Sequence, residues 1–479
     1  MLFNSFEFIF LFIPIVFATW CVLKRLQCAE TAVWSLLLAS LFFYAWWNPP
    51  FVLLLAASVV VNFAFQRAIY NTREKSLGRC AKIILTAGVA LNILLIGYFK
   101  YKNFIMFNID AILGYDASYK ELFLPLGISF FTFQQIACLV DTYKRNIQKV
   151  YFVDYALFVS FFPQLIAGPI VKYEELIPQI RKVSEERQIS LEMMRLGLVT
   201  FSIGLFKKIV VADYLSPVSI MLFDSAGQPT LCDSALGTLT YTLQLYFDFS
   251  GYSDMALGLG YIFGVNLPLN FNSPYQSLSI IDFWRRWHMT LSAFLRDYVY
   301  IPLGGNGGGR SKKYLNLMLT MLIGGLWHGA GWNYVLWGGL HGVYLVLNHI
   351  YRGPARDRFP LPRFCCWSLT FISVNFAWIF FRSPSFARAM DIITGFSKFN
   401  LDDIGLSIIS LPRDELYKFS AVLLTALMLS VFAPNVHNLT KKLSADKYYM
   451  ALFGGACITI SLWLMTYTEK VREFLYFQF

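Results

Sequence analysis

The sequence predicts an all-α, polytopic integral membrane protein with about eleven transmembrane helices and re-entrant or interfacial helices between them. Hydrophobic residues make up 57% of the 479 residues, and charged residues make up only 14%. A soluble domain has about a quarter of its residues charged. Apolar segments of about 17 to 21 residues recur along the chain, which is close to the length that crosses the hydrocarbon core. We therefore expect many helices that span a membrane.

The candidate spans follow these apolar segments in order. They cover residues 6–23, 31–47, 51–66, 81–99, 122–140, 151–171, 196–214, 234–265, 315–347, 366–381, 419–434 and 449–467. Prolines interrupt two of the spans and Gly324-Gly325 interrupts 315–347, so we expect broken helices that line a cavity. The first span lacks the cationic start and the cleavage site of a signal peptide, and we interpret it as a retained helix.

Basic residues between the spans predict the orientation of the chain. The formal net charge is +11, and the cations lie mainly between the apolar segments. Cytoplasmic loops of membrane proteins are enriched in Lys and Arg. Lys24-Arg25 and the basic residues of 67–82 therefore predict two cytoplasmic loops and an N-terminus on the outside. Anionic membrane lipids explain the charge better than nucleic acid, which we do not expect as a partner.

Two segments are too polar to span a membrane. Residues 172–195 mix both charge signs with Leu and Ile at helical spacing, which predicts a helix along the membrane surface. Residues 275–302 predict an interfacial or re-entrant helix. On a continuous helix, its polar residues would form a stripe about 120° wide, with His288 about 40° beyond the edge. The stripe contains Asp282, Arg285, Arg286, Ser292 and Arg296.

His328 is the leading candidate for chemistry. It lies in an otherwise uncharged apolar segment, where an ionisable group is costly and is a functional candidate by default. A neutral imidazole can take the proton of a hydroxyl group as that hydroxyl attacks an acyl carbonyl. The alternative is a histidine that is hydrogen-bonded to a neighbouring helix for structural reasons. Gly324, Gly325 and Gly329 around it allow a helix or a ligand to approach closely.

The other histidines are weaker candidates. His288 has several cations near it in the sequence, which could equally mark a surface for lipid headgroups. His341 would face away from His328 on a continuous helix, because their spacing corresponds to a rotation of about 220°. Only a break in the chain between them would change this. A structural role is favoured for His341, and more strongly for His349 and His437.

Other motifs leave their alternatives open. Residues 303–310 (LGGNGGGR) do not match a phosphate-binding P-loop and favour a glycine hinge before the next span, although a basic loop could also meet phosphates. Asp248 and Asp254 could join helices or contact a substrate. The eight cysteines have no zinc-binding spacing, so we predict neither a metal site nor disulfides. No serine lies in a G-x-S-x-G motif, so a serine hydrolase is not supported.

Five motifs together resemble those of a known family. They are, in order, residues 122–133 (LFLPLGISFFTF), 164–169 (QLIAGP), 244–256 (QLYFDFSGYSDMA), 282–288 (DFWRRWH) and 324–329 (GGLWHG). With these motifs the chain resembles the membrane-bound O-acyltransferase superfamily, and within it the branch of the alginate and peptidoglycan O-acetyltransferase membrane subunits. The resemblance covers about residues 1 to 350, and its motifs are specific as a set.

The resemblance implies one O-acyltransferase domain over residues 1–479, with a catalytic core at about 120–350 and helices around a central funnel. It implies that His328 is the catalytic general base and that His288 is the second polar residue of the site. The expected contacts to the donor are Arg285, Arg286, Trp287, Arg296 and Trp327. The arginines would bind phosphates, and the tryptophans would narrow the passage for the acyl group.

The resemblance also implies a reaction and its partners. An acetyl group would pass from a cytoplasmic donor, acetyl-CoA, across the bacterial inner membrane to an extracytoplasmic polysaccharide such as peptidoglycan or alginate. No bound cofactor is expected, and a separate extracytoplasmic acetyltransferase of the SGNH type is the expected partner. The alternatives are D-alanyl transfer to teichoic acid and a passive transporter or lipid flippase. A transporter predicts inverted repeats, which the sequence does not show.

Overall fold

The computed structural model describes residues 1–115, 119, 122–147, 149–352, 360–398, 406–467 and 472–475. These ranges contain helices and no β-strand. The first helices are α1 Ile13–Arg25, α2 Ala29–Ala45, α3 Pro49–Glu74, α4 Gly78–Ile96, α5 Lys102–Leu113, α6 Ile128–Tyr143, α7 Phe152–Ser160, α8 Phe162–Leu165, α9 Tyr173–Glu185, α10 Leu191–Phe206 and α11 Asp213–Asp224. The others are α12 Leu231–Ile262, α13 Ile280–Trp284, α14 Met289–Leu295, α15 Gly309–His328, α16 Trp332–Ile350, α17 Arg363–Arg382, α18 Phe386–Gly395, α19 Arg413–Phe432, α20 Val436–Leu443 and α21 Lys447–Tyr467.

Six helical stretches in the described ranges are long and apolar enough to cross a membrane. They are Phe8–Arg25, Pro49–Glu74, Gly78–Leu113, Arg363–Arg382, Arg413–Phe432 and Lys447–Tyr467. Several others, such as α2, are apolar but shorter or interrupted. A backbone in hydrocarbon must satisfy its hydrogen bonds internally, and helices do so. The all-α, polytopic class is therefore as predicted, while the number of eleven spans stays a prediction.

Most predicted interruptions are present. The segment 315–347 divides into α15 and α16, but the break lies at residues 329–331 and not at Gly324-Gly325, which are within α15. The segment 151–171 divides into α7 and α8 at Phe161. The span predicted at 122–140 is helical only from Ile128 onward, because Gly127 precedes it in the left-handed region with φ +72°. Residues 172–195 form α9 and the start of α10, separated by a break. α9 is amphipathic and buries Leu176, Ile177 and Ile180.

The prediction of one continuous helix over 275–302 is wrong. α13 ends at Trp284, and His288 takes up a left-handed conformation with φ +42° before α14 begins. Backbone groups that lose their helical hydrogen-bond partners at this break bond to residues 270–272 instead. Met289 N–H donates to Asn270 O at 2.9 Å, and Asn272 N–H donates to Arg286 O at 2.9 Å. The polar stripe calculated for a continuous helix therefore does not exist.

The chain forms two compact units. Unit 1 contains Met1–Ser202, Tyr252–Pro268 and Asp446–Gly455. Unit 2 contains Ile203–Gly251, Leu269–Ala445 and Ala456–Phe479. Both units are assembled from segments that are distant in the sequence, so neither is a simple half of the chain.

Unit 1 combines an aromatic core with buried amide hydrogen bonds. Its packed rings include Phe3, Phe8, Phe12, Phe43 and Phe162. Asn92 donates to Asn62 Oδ1 at 2.6 Å, and Gln135 donates to Ser58 Oγ at 3.0 Å. These bonds join α3 to α4 and α6. Such side-chain hydrogen bonds hold helices together in a membrane, because the hydrophobic effect does not drive one helix against another there.

Unit 2 contains a buried ionic cluster centred on Lys208. The ammonium group lies 2.6 Å from Asp248 Oδ1 and 2.8 Å from Asp213 Oδ1, and the Lys208 and Asp248 side chains are each only 2% exposed. Lys208 also donates to Glu473 O at 3.1 Å, and Leu475 N–H donates to Asp248 Oδ2 at 2.9 Å. Asp248 therefore joins α12 to residues 473–475, which is one of the two roles left open for it.

The Lys208→Met variant should show how much this cluster stabilises the protein. Removing the cation leaves the Asp248 carboxylate buried without its partner, and breaking a buried ion pair costs about 3 to 5 kcal/mol. We expect a clearly lower midpoint of thermal unfolding in detergent.

Lys418→Met is the matched control. Lys418 is 62% exposed and pairs with Glu415 at 2.9 Å, and exposed ion pairs contribute about 0 to 1 kcal/mol. Equal, small shifts in the two variants would contradict the assignment of a stabilising role to the cluster.

Candidate active site

The site of unit 2 is organised by the close contact between α15 and α16. A Cβ atom on Gly325 would collide with the carbonyl oxygen of Tyr334, and one on Gly338 would collide with the carbonyl oxygen of Met321. Only glycine therefore permits the two backbones to come this close. A Cβ atom on Gly342 would meet the side-chain sulfur of Met318 in α15. These contacts fix the position of His328 relative to α16.

The break between the two helices is extended and fitted around Tyr334. Gly329 has φ −162° and ψ 153°, and a Cβ atom there would collide with the Tyr334 ring. Asn333 Nδ2 donates to Ser383 O at 2.9 Å, which ties the start of α16 to the end of α17. His328 is therefore the last residue of a helix, held against a neighbouring helix and against α17.

His328 lies in an aromatic enclosure and is only 3% exposed. Its ring centroid is 4.9 Å from Trp327, 5.0 Å from Trp337 and 5.2 Å from Phe381, all at steep interplanar angles. These rings exclude water from the imidazole. A proton transfer at this position would take place in a medium of low dielectric, where electrostatic interactions are strong.

His288 is fully buried, and its hydrogen bond determines its tautomer. Nδ1 lies 2.9 Å from Asn270 Oδ1, and Thr290 Oγ1 donates to the same oxygen at 3.0 Å. Because that oxygen is an acceptor, Nδ1 carries the proton and Nε2 carries the lone pair. Trp327 lies between the two histidines of the site, with its ring centroid 6.1 Å from His288. The structure thus brings His288, Trp327 and His328 together.

His341 and His328 contact the same tryptophan in spite of their spacing in the sequence. The chain break between α15 and α16 removes the rotation that would separate them on a continuous helix. The His341 ring is fully buried and lies 4.8 Å from Trp337, the ring that His328 also contacts. Trp284 Nε1–H donates to His341 Nδ1 at 3.3 Å.

The predicted arginines lie outside the aromatic enclosure. Arg285 and Arg296 are exposed, and Arg296 Nε donates to Asp297 at 2.7 Å. Arg286 is half-buried and donates to Asp282 at 3.0 Å and to Asn272 O at 3.3 Å. They are not brought into contact with His328, so any role for them concerns the distant part of a donor.

Trp287 differs from Trp327 in its surroundings. It is 1% exposed and stacks on Phe283 with centroids 5.6 Å apart. It reaches the histidine cluster through Trp378, at 5.1 Å. Trp287 therefore supports the walls of the enclosure, while the donor contact expected of it stays a prediction.

Sequence reasoning missed a basic cluster around His349. Lys313 Nζ lies 3.2 Å from His349 Nδ1, and the charges of Arg352 and Arg285 also act on this histidine. Arg352 donates to Ser279 Oγ, the residue that caps α13, at 2.9 Å. No short motif signals the cluster, because its members come from separate helices.

The remaining motifs have mainly structural surroundings. Residues 303–310 form turns with Gly304, Gly305 and Gly308 at positive φ and lead into α15, as expected of a glycine hinge. Asp254 is half-buried and belongs to unit 1, whereas Asp248 belongs to unit 2. Asp248 belongs to the ionic cluster of Lys208.

The chain matches known proteins over most of its length. Residues 83–390 match the sequence model of MBOAT, the membrane-bound O-acyltransferase family. A peptidoglycan O-acetyltransferase of Helicobacter pylori is 42% identical over 442 residues, which cover 86% of this chain and 82% of that protein. A protein of Azotobacter vinelandii named "Probable alginate O-acetylase AlgI" is 38% identical over 439 residues, which cover 90% and 85%.

The match to a D-alanyl transferase is shorter and weaker. The teichoic acid D-alanyltransferase of Bacillus subtilis is 30% identical over 231 residues, which cover 46% of this chain and 58% of that protein. The alternative of D-alanyl transfer therefore has only partial support.

A substitution that adds one methyl group to α16 tests its close contact with α15. Gly338→Ala should lower the thermal stability and the amount of folded protein, because its Cβ atom would meet a backbone carbonyl that cannot move freely. Overpacking of this kind typically costs about 1 to 3 kcal/mol. Fluorescence-detected gel filtration after heating would measure the loss.

Gly339→Ala is the neighbouring control, since its Cβ atom would lie 3.7 Å from Leu322 Cδ2, an ordinary contact. Alanine is favoured over glycine within a helix by about 0.5 to 1 kcal/mol. We therefore expect unchanged or higher stability for Gly339→Ala. A Gly338→Ala variant as stable as Gly339→Ala would refute the close backbone contact.

Proposed function

Because the chain belongs to the membrane-bound O-acyltransferase family, we propose that it moves an acetyl group from a cytoplasmic donor across the membrane for O-acetylation of an extracytoplasmic polysaccharide. The full-length similarity to a peptidoglycan O-acetyltransferase and to an alginate O-acetylase supports acetyl transfer over D-alanyl transfer. The structural observation that carries the proposal is His328, an imidazole at a helix end inside a dry aromatic enclosure.

The proposed chemistry is general base catalysis. His328 accepts the proton of the acceptor hydroxyl while the hydroxyl oxygen attacks the carbonyl carbon of an acetyl thioester. A C–O bond forms, the C–S bond breaks, and the thiolate leaves with the proton that His328 returns. His288 presents Nε2 as an acceptor, since Nδ1–H is bound to Asn270. Its proposed role is to orient the hydroxyl or the donor beside Trp327.

The proposed donor is acetyl-CoA, with its phosphates outside the aromatic enclosure. Arg285, Arg352 and Lys313 provide three cations around His349. Guanidinium groups suit bidentate contacts to phosphate. The exposed Arg296 and the half-buried Arg286 can extend this surface. Only the pantetheine arm and the thioester would reach His328, past Trp327.

The proposed setting is the bacterial inner membrane, with the basic loops at 24–25 and 67–82 in the cytoplasm. The positive-inside rule supports this orientation. The acceptor side would then face outward, where a separate SGNH-type acetyltransferase receives the acetyl group or acts on the polymer. The polymer itself is peptidoglycan, alginate or a similar hydroxyl-rich polysaccharide.

His328→Gln should abolish polymer O-acetylation, because glutamine cannot act as a base at this position. Mass spectrometry of cell-envelope glycans from a deletion strain that carries each variant would measure the acetyl content. A general base contributes typically 100-fold to 10,000-fold in rate, so the content should fall to that of the deletion strain.

His437→Gln at equal protein abundance is the control, because His437 lies in α20 and has no proposed role in donor binding or transfer, so the acetyl content should stay largely unchanged. A normal acetyl content in the strain with His328→Gln would show that His328 is not the base. If the glycans lacked acetyl groups even in the strain with the wild-type protein, the proposed function would be wrong.

Arg352→Ala should weaken the interaction with acetyl-CoA, because it removes one of the cations proposed to bind phosphate. In purified protein we expect a higher KM for acetyl-CoA with little change in kcat, and a larger effect at low salt, since exposed charges are screened within about 10 Å at 0.1 M salt. Lys418→Ala removes an exposed cation in α19 and should leave KM unchanged. An unchanged KM in Arg352→Ala, or activity with an acyl carrier protein and none with acetyl-CoA, would contradict the donor assignment.

A further inference from the structure

His341 has no part in the chemistry described so far, yet its surroundings determine which of its nitrogens carries the proton. The ring is fully buried, and Trp284 Nε1 lies 3.3 Å from Nδ1. An indole N–H can only donate, so Nδ1 must be the acceptor. A neutral His341 therefore carries its proton on Nε2, the opposite arrangement to that of His288.

The Nε2–H group of His341 has no acceptor among the residues that the structure describes. The Nε1–H group of Trp337 likewise has no acceptor among the described residues. The two rings are in contact, with centroids 4.8 Å apart. Native proteins leave few buried donors unmet, so two adjacent ones require an explanation. A ligand oxygen that accepts from both is the simplest one.

One of the two donors, Trp337, contacts His328 directly. Trp337 contacts both histidines, and the Phe381 ring lies 5.2 Å from His328 and 5.2 Å from Trp337. All these side chains belong to unit 2. An oxygen that accepts from His341 and Trp337 would therefore lie in the same enclosure as the base. In acyl transfer, the carbonyl oxygen becomes negative as the hydroxyl attacks, and N–H donors fixed in a dry site stabilise that charge.

We propose, on the basis of the function proposed above, that His341 Nε2–H and Trp337 Nε1–H bind the carbonyl oxygen of the acyl group during transfer. When the hydroxyl oxygen bonds to the carbonyl carbon, the π electrons move onto the carbonyl oxygen, and both donors hold this charge. When the carbonyl re-forms, the C–S bond breaks and the thiolate leaves. Trp284 is a positioning residue, because its N–H group keeps the proton of His341 on Nε2.

The kinetic test compares two variants of the full-length protein in detergent, with acetyl-CoA as the acetyl donor. His341→Phe keeps an aromatic ring and removes the donor, whereas His341→Gln keeps an N–H group. Removing one such donor lowers kcat by about 100-fold to 1,000-fold. We expect this loss for His341→Phe with KM for the donor nearly unchanged, and a loss of about 10-fold or less for His341→Gln.

A kcat of His341→Phe close to that of the wild-type protein would overturn the proposal, and so would equal losses in both variants. His437→Phe is the matched control, because His437 in α20 has no proposed role in the site, and it should retain its kcat. Absence of transfer by the wild-type protein would instead refute the proposed function, so the two failures are distinguishable.

A second measurement does not depend on activity. The ¹⁵N NMR spectrum of the wild-type protein labelled with ¹⁵N-histidine reports which nitrogen of each neutral ring is protonated. The His341 signals are those that disappear in His341→Gln or, if that variant does not fold, in His341→Asn. Protonation on Nε2 supports the proposal, and protonation on Nδ1 overturns it.

Discussion

The close approach of α15 and α16 is the constraint on which the candidate site depends. Helices in a membrane gain little from hydrophobic burial against one another, so packing decides where they lie. Gly325 and Gly338 allow backbone-to-backbone contact, and the extended break at Gly329 turns the chain between the helices. As a result, a histidine at the end of one helix and a histidine within the next both contact Trp337.

The enclosure around these histidines is aromatic and contains few polar atoms, and so each hydrogen bond determines the chemistry of a ring. Asn270 fixes the proton of His288 on Nδ1, and Trp284 leaves that of His341 on Nε2. One ring therefore presents a lone pair and the other presents a donor at the same nitrogen. In a site buried away from bulk water, such preorganised groups are worth more than they would be in solution.

The charged groups of unit 2 have different roles from the neutral side chains of this enclosure. Lys208 and Asp248 form a buried ion pair, and Asp248 also accepts a hydrogen bond from Leu475 N–H. Lys313 and Arg352 lie with His349 in a cluster of like charge, which is costly unless anions are nearby. The proposed division of labour follows: cations hold the phosphates of a donor, and neutral nitrogens act on its acyl group.

Composition and hydropathy were sufficient for the all-helical membrane class, because a backbone in hydrocarbon must satisfy its hydrogen bonds within helices. The cost of burying an imidazole identified His328, and the glycines around it indicated the helix break. Only the tertiary structure decided the break at His288, because Asn270, which holds its Nδ1–H, lies 18 residues earlier in the chain. The neighbours of His341 and the cation of Asp248 were likewise decided by contacts between distant segments, which helical periodicity does not encode.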